Sequence, residues 1–304
     1  TAFREVMKFK DKITDKIYFG LVLFTSFMIN LFPAKVSLHL LASIIRLAGL
    51  LQFKRREIIK ENLKLIYGND FPEWRIEILT NLIYRNFGMS LSEFLRLHKF
   101  NTVNITEKVE IHDVDNLDKA LSGGRGALIL TAHVGNWDLM ATAVGLSGYK
   151  VNLITKVFKH GNLVNKYWMR TRKHGGVNPI YYKRSIFQIK EALQRNELVG
   201  FVIDQYVPNA NVSVNFLGKP ASTFDALAAM AYKFNVPVVP ILNHRSPDDK
   251  NKIIIDVFPP LNIIEAESRP ETIRLNTQRY SDLIGDYIRR YPDQWIWMHR
   301  RWRK

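Results

Sequence analysis

The stretch Ala127-Leu-Ile-Leu-Thr-Ala-His133-Val-Gly135-Asn136-Trp137-Asp138-Leu139 decides how the rest of the chain is read. Glycines at 124, 126 and 135 bound an apolar run of strand length, and a helical pattern comes after it, which predicts a buried strand feeding a helix. His133 then stands at the strand's carboxyl end, where open α/β sheets place their ligands. On one ideal helix a five-residue separation turns two side chains about 140° apart, so His133 and Asp138 meet only if the chain breaks between them. Gly135 provides that turn, Asn136 the N-cap, and Asp138 falls in the first helical turn, where the helix dipole favours a carboxylate. Two readings fit the pair: a histidine base oriented by an acid, or a strand-end histidine before an ordinary helix-start aspartate.

Strands and helices alternate downstream, which predicts a mixed, mostly parallel sheet flanked by helices. Residues 109–112, 151–155, 177–182, 198–204, 236–242 and 252–258 read as strands, with 177–182 at an edge. Residues 114–121, 162–173, 185–194, 223–235 and 273–290 read as helices, and 205–222 as a loop. Upstream, 54–100 is helical by pattern and reads as a cover over the sheet. The run from Ile17 to Phe32 is uncharged and closed by Pro33, close to the shortest length that crosses a bilayer. The next run, Val36 to Phe53, carries His39 and Arg46 and leads into Lys54, Arg55 and Arg56, as in a helix lying at an interface. Residues 1–53 are therefore expected to anchor the chain on a membrane, as a short span or a hairpin in one leaflet. Two buried helices of a soluble domain fit the same pattern. No small-residue cleavage site comes after the run, which argues against a cleaved signal peptide. The expected organisation is 1–53 anchor, 54–102 helical cover and 103–304 α/β core, with 54–304 as one globular unit.

Lys and Arg number 44 against 28 Asp and Glu, a formal charge of +16, so an acidic partner is expected: nucleic acid, an anionic membrane or an acidic protein. With 304 residues and 47% hydrophobic content the chain has ample material for a core. There is no cysteine, which excludes a thiol nucleophile, disulfides and cysteine metal sites. No Gly-x-Ser-x-Gly elbow occurs, and the histidines lack metal-ligand spacing, so neither a serine nucleophile, a metal nor a cofactor is implied.

Asp204-Gln205 ends its strand much as His133 ends its own, which predicts that both face one rim. Gly218 marks a turn, and Ser222 or Thr223 is expected to cap the next helix and expose its amides to an anion, or simply to cap it. Lys156, Lys159, Lys166, Arg170, Arg172, Lys173, Lys183 and Arg184 form a basic run near these elements, either a solvated face or a source of one or two phosphate contacts. The last fourteen residues interleave Trp295, Trp297 and Trp302 with Arg300, Arg301 and Arg303, a mixture suited to base stacking or to a membrane interface. The apolar N-terminal runs favour the membrane.

The block His133-Val-Gly135-Asn136-Trp137-Asp138 resembles the His-x4-acid motif of the lipid A biosynthesis (lauroyl/myristoyl, late) acyltransferase family, within the lysophospholipid acyltransferase-like superfamily. Three further stretches agree in order and rough spacing: Arg56…Asn62-Leu63 with Gly88…Glu93 after it; Asp204-Gln205…Phe216-Leu-Gly218-Lys-Pro-Ala-Ser-Thr223…Val236-Pro-Val-Val-Pro240; and Pro292-Asp293-Gln294-Trp295-x-Trp297-x-His299-Arg300-Arg301-Trp302. The resemblance covers nearly the whole chain. It implies a glycerolipid acyltransferase-like fold and an enzyme on the cytoplasmic side of the bacterial inner membrane. The reaction it implies moves a fatty acyl chain from acyl carrier protein or acyl-CoA to a hydroxyl of a lipid A precursor or related glycolipid, without nucleic acid. It makes His133 the general base and Asp138 the acid orienting it, with Gly135, Asn136, Trp137, Lys156, Arg170, Arg172, Asp204, Gln205, Gly218 and Thr223 on the substrates. Asp138 stands where glutamate is common and Lys156 where arginine is frequent, so the acid is shorter by one methylene and a bidentate contact becomes a point charge. Relatives sharing these motifs acylate other glycolipids and lysophospholipids. A lipid ester hydrolase and a non-catalytic membrane-binding protein are the more distant readings.

Overall fold

The structure, a computed structural model, describes residues 2–68, 71–156, 162–181, 185–208, 210 and 212–303, with side chains from residue 13 onward except Asn162. Its helices are α1 (Ala2–Leu31), α2 (Ala34–Leu50), α3 (Phe53–Tyr67), α4 (Glu73–Phe94), α5 (Ile105–Lys108), α6 (Asp115–Leu121), α7 (Trp137–Leu146), α8 (Asn162–His174), α9 (Ser185–Gln194), α10 (Ala226–Phe234) and α11 (Arg269–Arg290). The strands are β1 (Val109–His112), β2 (Ala127–Thr131), β3 (Val151–Thr155), β4 (Val177–Tyr181), β5 (Leu198–Val202), β6 (Val212–Phe216), β7 (Lys219–Thr223), β8 (Val238–Arg245) and β9 (Ile253–Val257).

Seven strands form one sheet in the order β1-β9-β8-β2-β5-β3-β4, parallel throughout except where β9 runs antiparallel to β8. The expected strand β2 is central and wholly buried, and its side chains alternate between the two faces as strand geometry requires. Leu128, Leu130 and Ala132 join the cluster made with α3, α4, α9, α10 and α11, while Ala127 and Ile129 join the one made with α6 and α7. Buried on both sides, β2 reads as a continuous apolar run rather than an alternation. The register of β2 on β5 is what positions the candidate site. Thr131 stands opposite Val202, so the two chains leave the sheet side by side, and two residues further on they carry His133 and Asp204.

The expected loop 205–222 instead contains a hairpin. β6 and β7 pair around Leu217-Gly218, both with positive φ (56° and 91°), the conformation a two-residue hairpin turn demands. The alternation Val212, Val214, Phe216 is the signal of the first strand; its buried side rests in the core formed with α11.

At the N-terminus the expectation of a span needs correction. Residues 17–31 are the end of a longer helix, α1, whose sequence also holds Asp11, Asp15 and several lysines, and among the described residues no single helix is long and apolar enough to cross a membrane. Only α2 with α3 would pass as a pair, and these bend by 91°. What α1 and α2 do present is an apolar stripe. Ile17, Leu21, Phe24 and Leu31 on α1, and Val36, Leu40, Ile44 and Leu47 on α2, recur at helical spacing and are all at least 40% exposed. The opposite side of α2 packs tightly on α4, where a Cβ at Gly88 would lie 2.8 Å from the Ala42 Cα. Arg96 closes the α1–α2 corner by donating to the Ile29 and Phe32 carbonyls at 2.7 and 3.0 Å.

Candidate active site

His133 lies just past β2 with its ring partly exposed, and its Nδ1 lies 2.8 Å from Oδ1 of Asp204. The other carboxylate oxygen accepts the His133 backbone N–H at 3.1 Å and the Trp295 indole N–H at 2.7 Å. Burial of Asp204 (1% exposed) opposes its charge, yet His133 and these donors hold its pKa down to about 2. A carboxylate at Nδ1 fixes the tautomer with its proton on that nitrogen and leaves the Nε2 lone pair free to take a proton. Nε2 faces the rim, with the Gln205 amide nitrogen 3.4 Å away.

The expected pairing of His133 with Asp138 is therefore corrected. Asp138 opens α7 as anticipated, but its carboxylate is taken by Arg172 of α8, with Nε to Oδ1 at 2.6 Å and Nη2 to Oδ2 at 3.4 Å, and the same guanidinium donates to Thr155 at 3.0 Å. The reason is directional. From the first turn of α7 the Asp138 side chain points to the β3–α8 side, whereas the β5 register has already brought Asp204 to the imidazole.

Gly135 and Asn136 are spoken for by structure. Gly135 has φ of 63° and its N–H goes to the Gln294 carbonyl at 2.9 Å; a Cβ there would collide with the Asn243 side-chain oxygen. Asn243 brackets the turn, accepting from the Asn136 N–H at 2.7 Å and donating to the Val134 carbonyl at 3.0 Å. The Asn136 side chain caps α7 through the Leu139 N–H at 3.0 Å, as expected, and donates to buried Glu93 at 2.8 Å. Glu93 is in turn clasped by Arg245 at 2.9 and 2.8 Å and by Lys108 at 2.6 Å, which together bring its pKa to about 2 against the pull of burial. With the amides of 135 and 136 consumed, those of Trp137 and Asp138 are the ones that open α7 without a partner among the described residues.

Trp137 sets its indole edge-on to His133, with ring centroids 4.9 Å apart. It also lines two hollows. One, of only about 20 Å³, lies between α7 and the sheet against Met140, Val144, Leu153 and Gly200, and its walls are apolar. The other, of about 10 Å³, lies against Gly135, Phe87 and Met298.

The remaining expected contacts divide. Lys156 and Arg170 are exposed on the β3–α8 side, Lys156 directly after β3. Lys159, Lys183 and Arg184 lie outside the described residues. Gly218 is exposed at the hairpin turn, the turn expected of it, whereas Thr223 is fully buried with its hydroxyl held by Arg301 at 2.6 Å and the Ser222 hydroxyl donates to the Val207 carbonyl at 2.7 Å, so neither hydroxyl forms the helix-cap anion site expected of Ser222 or Thr223; α10 begins later, at Ala226. Arg301 is itself fully buried, donating also to the Ser222 carbonyl at 2.5 Å, and burial lowers its pKa to about 10. Trp295 and Trp297 are buried beside it, so the closing aromatic and basic block is core rather than an outward surface. Trp295, Asn243 and Glu93 carry no site role in the sequence reading. Trp295 and Glu93 do lie within its motif blocks, and Asn243 has no sequence signal.

The chain matches the family described as "Bacterial lipid A biosynthesis acyltransferase" over residues 6–304. It is 22% identical to a phosphatidylinositol mannoside acyltransferase of Mycolicibacterium smegmatis over 81% of this chain and 79% of that protein. It is 23% identical to a lipid A biosynthesis palmitoleoyltransferase of Escherichia coli over 82% of this chain and 79% of that one. Among solved structures it is similar to a 1-acyl-sn-glycerophosphate acyltransferase of Thermotoga maritima, at 14% identity and a TM-score of 0.38 over 80% of this chain and 98% of that chain. The protein belongs to the bacterial lipid A biosynthesis acyltransferase family and is an acyltransferase.

Proposed function

We propose that this family member transfers a fatty acyl chain from a thioester donor, acyl carrier protein or acyl-CoA, to a hydroxyl of a lipid A precursor or related glycolipid at the cytoplasmic surface of the bacterial inner membrane. The observation that carries the reading is the pairing of His133 Nδ1 with buried Asp204, which leaves Nε2 as a base at an open rim. Nε2 takes the acceptor hydroxyl's proton as its oxygen attacks the thioester carbonyl carbon. The tetrahedral oxyanion is met by the free amides of Trp137 and Asp138 at the start of α7. When the carbon–sulfur bond breaks, the imidazolium returns the proton to the departing thiolate, so ester and thiol leave and the enzyme is restored. Asp204 stabilises the imidazolium between the two steps.

The exposed stripe of α1 and α2 suits an interfacial seat on lipid. Lys156 and Arg170 on the neighbouring rim suit anionic headgroups or an acidic carrier, in keeping with the +16 charge. The test is in vitro transfer with acyl carrier protein and CoA thioesters onto lipid acceptors in anionic vesicles, read by mass spectrometry. His133→Ala is expected to lose at least about 10³-fold in kcat while still binding vesicles. Substantial transfer by that variant would overturn the reading, and rapid release of free fatty acid without acceptor would favour hydrolysis.

A further inference from the structure

Trp295 is 2% exposed and reaches the site from the C-terminal end of the chain. Its backbone forms an antiparallel bridge to Val134, flanked by Gly135 N–H to the Gln294 carbonyl at 2.9 Å and Ile296 N–H to the His133 carbonyl at 3.3 Å. The segment is thus stitched along the histidine turn itself. Gln294 is pinned in addition by the Arg245 N–H at 2.6 Å. From this platform the indole crosses to Asp204 and donates to Oδ2, the oxygen not used by the imidazole.

We propose that Trp295 is a positioning residue for acyl transfer, whose indole N–H fixes the Asp204 carboxylate in the plane in which it meets His133. The inference rests on His133 acting as the base. Without the indole, Oδ2 keeps only the His133 backbone N–H at 3.1 Å, and the carboxylate gains freedom to turn about its own axis. The chemistry of the donor matters as much as its place. An indole N–H donates and carries no net charge, so it orders the carboxylate while leaving its negative charge to the imidazolium. An arginine in that position would compete for the charge, as Arg172 takes that of Asp138. The other polar groups facing the pair are His299 and Arg301 on the same C-terminal segment and Gln205 next to Asp204, and none of them replaces a donor at Oδ2.

Trp297 supplies the control. It is equally buried, its ring centroid is 4.8 Å from that of Trp295, and its N–H goes to the Pro292 carbonyl. Trp295→Phe removes the donor and keeps an aromatic ring; Trp297→Phe makes the same loss of volume without touching Asp204. In Trp295→Phe, kcat is expected to fall roughly ten- to a hundredfold with KM for donor and acceptor unchanged, the size of losing a hydrogen bond to a charged group. The acid limb of its kcat/KM profile should move to higher pH, because a carboxylate stripped of a donor holds the imidazolium proton more tightly. Trp297→Phe should match the thermal destabilisation and show neither change. If the two variants are indistinguishable in kcat and in pH profile while His133→Ala is inactive, the inference is overturned and the base reading stands; an active His133→Ala overturns the base reading. Should Trp295→Phe fail to fold, 3-benzothienylalanine at position 295, with sulfur in place of the indole N–H and the same outline, carries the same expectations.

Discussion

Asp138 and Asp204 are both buried aspartates within the same rim, 6% and 1% exposed, and each ends in a charged hydrogen bond, yet their partners separate them. Asp138 meets a guanidinium, which neutralises it and ties α7 to α8 and β3. Asp204 meets an imidazole, a backbone N–H and an indole, none of which carries a fixed positive charge. A carboxylate already spent on an arginine has little left for a transient imidazolium. One held only by neutral donors keeps its charge for the moment the histidine takes a proton. Spacing along the chain favours Asp138 as the acid, and the partner's chemistry favours Asp204.

The sharpest way to break the comparison is to neutralise each acid in turn. Asp204→Asn keeps a hydrogen-bonding side chain of the same shape but presents a neutral amide to Nδ1, which lets the ring adopt the other tautomer and removes the counter-charge. A loss of about 10³-fold or more in kcat is expected, with vesicle binding and KM little changed. Asp138→Asn should cost far less turnover, on the order of tenfold, and more stability, because it leaves the Arg172 guanidinium buried without its anion. Adding Arg172→Gln to Asp138→Asn should recover part of that stability, whereas adding it to Asp204→Asn should give additive losses. A double-mutant cycle by thermal denaturation reads both couplings. If instead Asp138→Asn abolished turnover and Asp204→Asn did not, the roles of the two acids would be reversed.

Much of this was legible in residues. The apolar run between Gly126 and Gly135 gave β2 and its position, because a strand buried on both faces needs no alternation, and Asn136 as the cap of α7 could be read from its place before Trp137. That His133 and Asp204 share a rim was legible too, since both end strands. Their contact was not: it depends on the register Thr131 to Val202, which is set by pairing between segments 71 residues apart and leaves no local mark. The same limit explains the C-terminal block. Tryptophan and arginine in alternation look alike whether they face lipid or pack inward, and only the β6–β7 hairpin, which encloses Arg301 through Ser222 and Thr223, decides that they turn in. The apolar residues of α1 and α2 show the converse, being outward on a stripe that nothing among the described residues covers.

Glu93 extends the comparison to a third carboxylate, and to the smallest expected effect. It is as buried as Asp204 and its pKa is brought equally low, to about 2, but by Arg245 and Lys108, and its bond from Asn136 braces the turn after His133. Because its pKa is lowered on folding from an ordinary 4.5, the unfolded chain binds the proton more readily. Its contribution to stability is therefore present above about pH 4.5 and is lost as the pH falls toward about 2. Glu93→Gln should be less stable at neutral pH, since Arg245 loses its bidentate anion, and its melting temperature should fall less steeply than the wild type's between pH 4.5 and pH 2. Its kcat at neutral pH should change by only a few fold, with the acid limb of the profile in place, because the charge beside the imidazole is untouched. Were Glu93→Gln to move that limb as Trp295→Phe is expected to, the distinction between a carboxylate that orients the base and one that only holds the backbone around it would collapse.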